Sequence, residues 1–569
     1  MRKVPIAAAV VMTASLLTTV VAGASETQTT QTDTTHEPGT VHTYVVLAEE
    51  GASVEDAAAA AVAGGATVVG TNAAIGMVTV EASGAGFASA MASHPDVVGA
   101  ARDSVIGSAP EVDRSRDDVE RLSAAERAQA APSDTAAVEV AGTEPLASLQ
   151  WDMDMIDAPA AHAVEVGDHR TKVGIMDTGI DGSHPDIAPN FNAALSRNFT
   201  TDIPLIDGAC NKDPDRSCED PADVDENGHG THVAGTIGSP LNGVGIAGVA
   251  PGVELVNLRA GQDSGYFFLE PTVNALTYAG DNGIDVVNMS FYIDPWLFNC
   301  TDNPADTPEQ QAEQRTIIEA TQRALDYASA HGVTLVSSAG NGHTDLGNPT
   351  FDGTSPDYPP GTEHDRVIDN SCLSLPTEGD GVVAVTAVAP SGRKSYYSNY
   401  GIEQADIAAP GGDYYDTNPR SATNLVLAPY PEDLAIEAGE VDKKTGASLT
   451  PFVVADCTSG DCSYYQYLQG TSMASPHVTG VAALIVAAGG GLDAGGEFGL
   501  HPRTVVRTLL DTATDTPCPN GDGVLYDYDA PIPDSYNAVC DGRADRNGFY
   551  GDGIVNASAA VSWPGRPMS

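Results

Sequence analysis

From Leu149 onward, short continuously apolar runs alternate with helical patterns, and no other feature limits the fold as much. Val173–Met176, Glu254–Leu258, Val286–Met289, Val333–Ser337 and Val382–Val388 read as strands, Val233–Ile237 opens a helix, and Thr272–Ala279 and Gln314–Ala330 read as helices. A strand apolar on both faces must be covered on both faces, so the alternation predicts an α/β fold with a mostly parallel sheet between helical layers. In such a sheet the carboxyl ends of the strands carry the chemistry.

Ahead of this region the pattern differs. Arg2 and Lys3 precede an apolar run from Val4 to Val21, and Ala22, Gly23 and Ala24 form an A-x-A-like cleavage site, so residues 1–24 read as a signal peptide. No other apolar run is long enough to span a bilayer, and a secreted protein is expected. Residues 25–40 are polar and Thr-rich, a composition that favours disorder. Strands at His42–Ala48, Thr67–Gly70, Gly76–Ala82 and Val97–Ile106, with helices at Val54–Ala63 and Gly86–Ser93, give the order β-α-β-β-α-β of a ferredoxin-like α+β unit over residues 41–107. From Gly107 to Ala147 the composition shifts to Asp, Arg, Glu and Ala without aromatics, so residues 108–148 read as an exposed, partly helical linker open to proteolysis. Residues 149–569 form the larger domain.

Net charge is −52, from 26 Lys and Arg against 78 Asp and Glu, which argues against nucleic acid or an anionic membrane as a partner. Abundant carboxylates suit calcium. Eight cysteines fit an oxidising compartment. Local pairing joins Cys210 with Cys218, Cys457 with Cys462 and Cys518 with Cys540, which leaves Cys300 for Cys372. Metal ligation is the competing reading, and no doubled C-x-x-C supports it.

Four stretches carry candidate chemistry. Gly470 to Leu484 reads GTSMASPHVTGVAAL and places Ser472 at the start of an apolar helix, whose N-terminus offers backbone N–H groups to a developing anion. Asp177 follows the first strand in MDTGIDGSHPDI, His229 and His232 lie in NGHGTHVAGT, and Asn341 ends VTLVSSAGN. Taken singly, each has a bland reading as a cap, a turn residue or a metal ligand. Together they supply what acyl transfer needs: a hydroxyl nucleophile, an imidazole base, a carboxylate that fixes the imidazole tautomer, and an oxyanion donor.

These motifs, in the order Asp, His, Ser, resemble those of the subtilisin family of serine proteases from about Leu149 to Val561. The resemblance implies a three-layer α/β fold in which Asp177 orients the histidine, His229 is the base, Ser472 attacks, and Asn341 with the Ser472 N–H forms the oxyanion hole. His232 matches the family's second, non-catalytic histidine. By the same resemblance the front unit is an inhibitory propeptide acting in cis, with maturation somewhere between Gly107 and Ala147. Protein or peptide substrates would lie along Ser290, Phe291 and Tyr292 on one wall and Ser264, Gly265 and Tyr266 on the other. Where many relatives carry glycines after that serine, this chain has Phe291 and Tyr292, which either reshape the first specificity pocket or support an inserted loop through Pro295 and Cys300. A structural calcium site is implied at Asp186 and the loop bearing Pro240, Asn242, Val244 and Ile246. Asp223, Asp225, Asn227 and Gly228 imitate the opening of an EF-hand, but position twelve would be Ala234 rather than Glu. The expectation is a monomeric, secreted, calcium-stabilised endopeptidase made as a zymogen. A catalytically silent binding protein is disfavoured because all four residues are present, and a dedicated processing protease is the alternative within the enzyme class.

Overall fold

A computed structural model describes residues 41–83, 86–103, 119–129, 144–212, 216–417, 419–458, 460–492, 495–528 and 531–562. The signal-like start and parts of the expected linker fall outside the described residues.

The front unit runs β1 (Val41–Ala48), α1 (Val54–Ala63), β2 (Thr67–Asn72), β3 (Met77–Ser83), α2 (Phe87–Ala92) and β4 (Val97–Arg102), in an antiparallel sheet of order β2-β3-β1-β4. Alternation along β1 explains how the sheet is used. Tyr44 and Val46 pack on the unit's own helices with Phe87 and Met91. Val45 and Leu47 face the other way and join the core of the larger domain. Short helices follow at α3 (Ala124–Arg127), α4 (Trp151–Met155) and α5 (Ala158–His162).

In the larger domain β5 (Lys172–Met176), β6 (Arg197–Asn198), β7 (Glu254–Arg259), β8 (Val286–Met289), β9 (Thr334–Ser338), β12 (Val382–Val388) and β13 (Ile407–Pro410) form a seven-stranded parallel sheet of order β13-β12-β9-β8-β5-β7-β6. A small hairpin, β10 (Phe351–Asp352) and β11 (Arg366–Val367), stands apart. The longer helices are α6 (His229–Gly238), α7 (Leu269–Asp281) and α8 (Pro308–Ala330), the last opened by a Thr307 capping box with proline in its first turn.

The predicted fold class is therefore present. Helix ends differ from the sequence reading. Helix α6 begins at His229, a turn before Val233, because Gly228 adopts φ +93° and lets the chain enter the helix there. Helix α8 begins six residues before Gln314, where its cap lies.

The stretch between β13 and the nucleophile motif holds β14 (Val426–Pro429), α9 (Glu432–Glu437), β15 (Val453–Asp456) and β16 (Ser463–Leu468), and the three strands form an antiparallel sheet of order β14-β16-β15. It leads directly into α10 (Thr471–Gly489), the central core helix. One correction follows: α10 is long and apolar enough to cross a bilayer by length and composition, and 83% of its most apolar window is buried inside the protein. The four disulfides are Cys210–Cys218, Cys300–Cys372, Cys457–Cys462 and Cys518–Cys540. Each closes a loop and stabilises the fold by about 2–4 kcal/mol.

Candidate active site

Asp177 stands at the carboxyl end of β5 and is fully buried. Its Oδ1 lies 2.7 Å from His229 Nδ1 and accepts the Thr178 N–H at 2.8 Å. Gly230 is required beside it, because a Cβ there would stand 2.1 Å from the Gly179 carbonyl oxygen. Asp225 holds the entry to α6: it accepts N–H bonds from Asn227, Gly228 and Thr231 and hydroxyl bonds from Thr178 and Thr231. That use of its carboxylate agrees with discounting an EF-hand there. His232 is buried, and burial together with the nearby His229 charge lowers its pKa to about 3. It is therefore neutral, and its Nε2 lies 3.2 Å from the Val426 carbonyl and 3.1 Å from that of Gln466, tying α6 to the inserted sheet.

Ser472 sits in the first turn of α10, 5% exposed. Its hydroxyl lies 3.4 Å from the Ser290 carbonyl, and its own carbonyl accepts the Ser290 hydroxyl at 3.1 Å. Asn288 on β8 fixes the helix further, accepting the hydroxyls of Ser475 (2.7 Å) and Thr479 (2.9 Å). Asn341 has its amide oriented by Thr471, whose N–H and hydroxyl both donate to Asn341 Oδ1 at 2.9 Å. Its Nδ2 is left as the donor.

The group that donor meets is Glu120. Its Oε1 accepts from Asn341 Nδ2 at 3.1 Å, and its Oε2 lies 3.3 Å from His229 Nε2. Burial opposes charge on the His229 ring, but Asp177 on one side and Glu120 on the other outweigh it and hold its pKa well above the usual 6.5. Burial likewise opposes charge on Glu120, yet His229, Ser472 and Asn341 hold that carboxyl below its usual range. Glu120 belongs to the segment expected to be an exposed linker. It is instead 4% exposed.

The family model for the Subtilase family matches residues 168–529. The chain belongs to the subtilase family. Its relatives in that family are serine endopeptidases of the subtilisin type. Subtilisin BL from Lederbergia lenta is 27% identical over 338 residues, 59% of this chain and 84% of that protein. The major intracellular serine protease of Bacillus subtilis is 29% identical over 338 residues, covering 59% and 75% respectively. With M-protease of Shouchella clausii the match spans 60% of the relative's length at 27% identity. Two solved structures share the fold. The epidermin leader peptide processing serine protease of Staphylococcus aureus has TM-score 0.59 and 20% identity, over 93% of this chain and 100% of that one. Fervidolysin from Fervidobacterium pennivorans has TM-score 0.54 and 20% identity, over 93% and 62%.

In this subtilase the two aromatics after Ser290 are used for packing. Phe291 stacks on Phe267 with centroids 4.0 Å apart, and the Tyr292 hydroxyl donates to Asp357 at 2.6 Å. The Ser264-Gly265-Tyr266 stretch is a tight turn with Gly265 at φ +83°, and Tyr266 lies among Ile206, Phe268 and Tyr358. The subtilase's loop from Pro240 to Ile246 runs past Asp186. Asp186 Oδ2 accepts the Ile246 N–H (3.0 Å) and the Tyr465 hydroxyl (3.1 Å), Asn242 Nδ2 donates to the Pro185 carbonyl (3.2 Å), and the Val244 N–H donates to Asn242 Oδ1 (2.8 Å). Asp186 Oδ1 and Glu144 Oε2 are buried without a hydrogen-bond partner. Burial, with Glu144 nearby, pushes the Asp186 carboxyl well above the usual range. Orphaned carboxylate oxygens beside such a loop fit a calcium ion. Glu144 was not foreseen as part of this site. A second acidic group, Asp202, Asp220 and Asp263, brings carboxylate oxygens within 4.8 Å of one another, as a metal site could. The Arg259 guanidinium sits among them, 3.3 Å from Asp202, 3.0 Å from Asp263 and paired with Asp220.

Proposed function

We propose that this subtilase is a secreted serine endopeptidase, synthesised as an autoinhibited zymogen, that hydrolyses peptide bonds through Asp177, His229 and Ser472. One observation carries the reading: Asp177 holds His229 by Nδ1, a single carboxylate, that of Glu120, joins His229 Nε2 to the Asn341 amide, and Asn341 is bonded by Thr471, the residue before Ser472. The anion held there occupies the place where the oxyanion of acyl transfer develops. In turnover Ser472 Oγ attacks the scissile carbonyl while His229 Nε2 takes its proton, and Asp177 holds the ring with Nδ1–H toward its own Oδ1. The Asn341 amide and the Ser472 N–H stabilise the oxyanion. His229 then protonates the leaving amine, and water hydrolyses the acyl-enzyme by the same steps. Ser472→Ala tests the assignment: peptide hydrolysis at the wild-type rate would refute it.

The front unit is read as the inhibitory propeptide. Its docking on α7 and α8 supports this: Asn72 bonds Asn274 and Thr277, and the Arg102 N–H bonds Glu313. Four disulfides favour an extracellular location. A bound calcium would neutralise Asp186 and Glu144 and hold the Pro240–Ile246 loop, with no part in the chemistry. A dedicated processing enzyme is the second reading, favoured by the inserted sheet that ends at Leu468, directly before the nucleophile.

A further inference from the structure

We propose that Lys394 is a positioning residue of the oxyanion hole: its buried ammonium gathers the Ser395–Ser398 turn, and Asn399 at the end of that turn fixes the loop that carries Asn341. The inference rests on the reading of Asn341 as an oxyanion donor, and it names what holds that donor's backbone.

Lys394 is fully buried. Its Nζ donates to the carbonyls of Ser398 at 2.6 Å, Ser395 at 3.0 Å and Tyr396 at 3.5 Å. Tyr400, Phe549 and Tyr528 close the cage, with ring centres 5.2, 5.6 and 5.9 Å from Nζ. A buried ammonium is costly unless its three N–H groups are bonded, and here all three are used on one turn of backbone. The nearby Asp413 directs Oδ2 to Arg393 at 2.8 Å and to the Tyr396 N–H at 3.3 Å, so carbonyls rather than an ion pair hold the ammonium.

Asn399 passes the constraint on. Its N–H donates to the Gly340 carbonyl at 2.9 Å, its Nδ2 to that of Ala339 at 2.8 Å, and its Oδ1 accepts the Thr344 N–H at 2.8 Å. The His343 N–H donates to the Tyr397 carbonyl at 2.7 Å. Backbone on both sides of Asn341 is thus bonded to the turn. Gly340 lies at φ +95°, and a Cβ there would stand 2.6 Å from Asn399 Nδ2. Thr471 orients the Asn341 amide, and the Lys394 turn sets where its backbone stands. Displacing a catalytic group by about 1 Å costs about 10²-fold in rate, so this grip bears on turnover.

The ammonium also titrates. Burial lowers the Lys394 pKa to about 7, with Asp413 opposing the shift and Arg393 adding to it. His343, Tyr400, Tyr528 and Tyr550 are the other titratable groups around it. Above 7 a neutral amine has two N–H groups for three carbonyls. The unfolded chain keeps its proton up to 10.5, so this group's contribution to stability rises from 7 to 10.5 while its grip on the turn weakens.

The test measures kcat and KM for peptide hydrolysis by the enzyme after its own processing, in wild type, Lys394→Met, Asn341→Ala and the double variant. Lys394→Met should lower kcat about tenfold to a hundredfold with KM within about twofold. Once Asn341 is replaced, Lys394→Met should cost less than about twofold more, whereas a purely structural role would cost the same in both backgrounds. Wild-type kcat should fall as pH rises through about 7 with no loss of Tm, and Lys394→Met should lack that limb. Should Lys394→Met fail to fold, Asn399→Ala cuts the same link and should show the same non-additivity with Asn341→Ala. The proposal is overturned if the losses multiply, if KM alone changes, or if both pH profiles share one alkaline limb. If Asn341→Ala leaves kcat unchanged, the oxyanion reading falls and this inference with it. A loss of about 10²–10³ there, the size known from subtilisin, with none at Lys394 refutes this inference alone.

Discussion

Two regions precede the catalytic domain, and they engage it differently. The front unit has its own apolar core and lays one face of its sheet on α7 and α8, away from the catalytic side chains. The segment Val119–Gln129 belongs to no such core, yet a side chain from it reaches His229 and Asn341. A large complementary surface can thus dock a domain without touching the chemistry, whereas a single carboxylate with a few anchors can block it.

The comparison breaks most decisively at the nucleophile. Ser472→Ala should lower turnover about 10⁶-fold, the size such a loss has in subtilisin itself, and it should leave both regions attached as one uncut chain on a denaturing gel. Asn341→Ala should cost about 10²–10³ in kcat, again the magnitude known from subtilisin. It should also loosen the segment without disturbing the front unit, which is readable by hydrogen exchange at Asn72 and its neighbours.

pH separates the regions more finely. Against His229 the Glu120 carboxyl is held below its usual 4.5, and Glu120 adds to Asp177 in holding the His229 ring above its usual 6.5. The depressed carboxyl contributes stability above 4.5 that is lost as pH falls through its docked value. The histidine, which Asp177 raises with or without the segment, contributes through Glu120 a further stability that is lost as pH rises through its docked value. Segment binding should therefore weaken as pH falls below 4.5 and again on the alkaline side, where His229 loses its proton above 6.5, with Asp177, Asp225 and the neutral His232 the other titratable groups facing the pair. On the front unit, burial and then Glu270 raise the Asp103 carboxyl from 3.8 to about 8, and Arg102 and Glu313 stand nearby. That docking should weaken steadily from 3.8 toward 8. Below 4.5 the two should diverge, the segment loosening while the front unit holds, as hydrogen exchange over the two regions can show. The smallest effect expected is from chelation: excess EDTA should lower Tm by a few degrees through the catalytic domain, and an unchanged transition would remove the calcium reading.

Much of this was open to reading from residues alone. Asp177, His229, Asn341 and Ser472 each lie in a run of small residues at a strand or helix end, where the local pattern and the chemistry agree. The front unit was legible because its strands and helices follow simple periods. Glu120 was not, because a lone glutamate in a charged, aromatic-free stretch reads as solvated and its partners lie more than 100 residues away. The Ser123-x-x-Glu126 capping box was the one visible sign of order there. Thr471 as the residue that orients Asn341, and Glu144 beside the Pro240–Ile246 loop, depend on tertiary contacts that no local pattern encodes.

The central claim, that Ser472 is the nucleophile and the Glu120 segment its gate, is tested most directly by mapping the adduct of a serine-directed phosphonate by mass spectrometry in full-length wild type and Glu120→Ala. The account predicts one adduct, on Ser472, forming about tenfold or more faster in the variant. An adduct on another residue, or equal rates in the two chains, would contradict it.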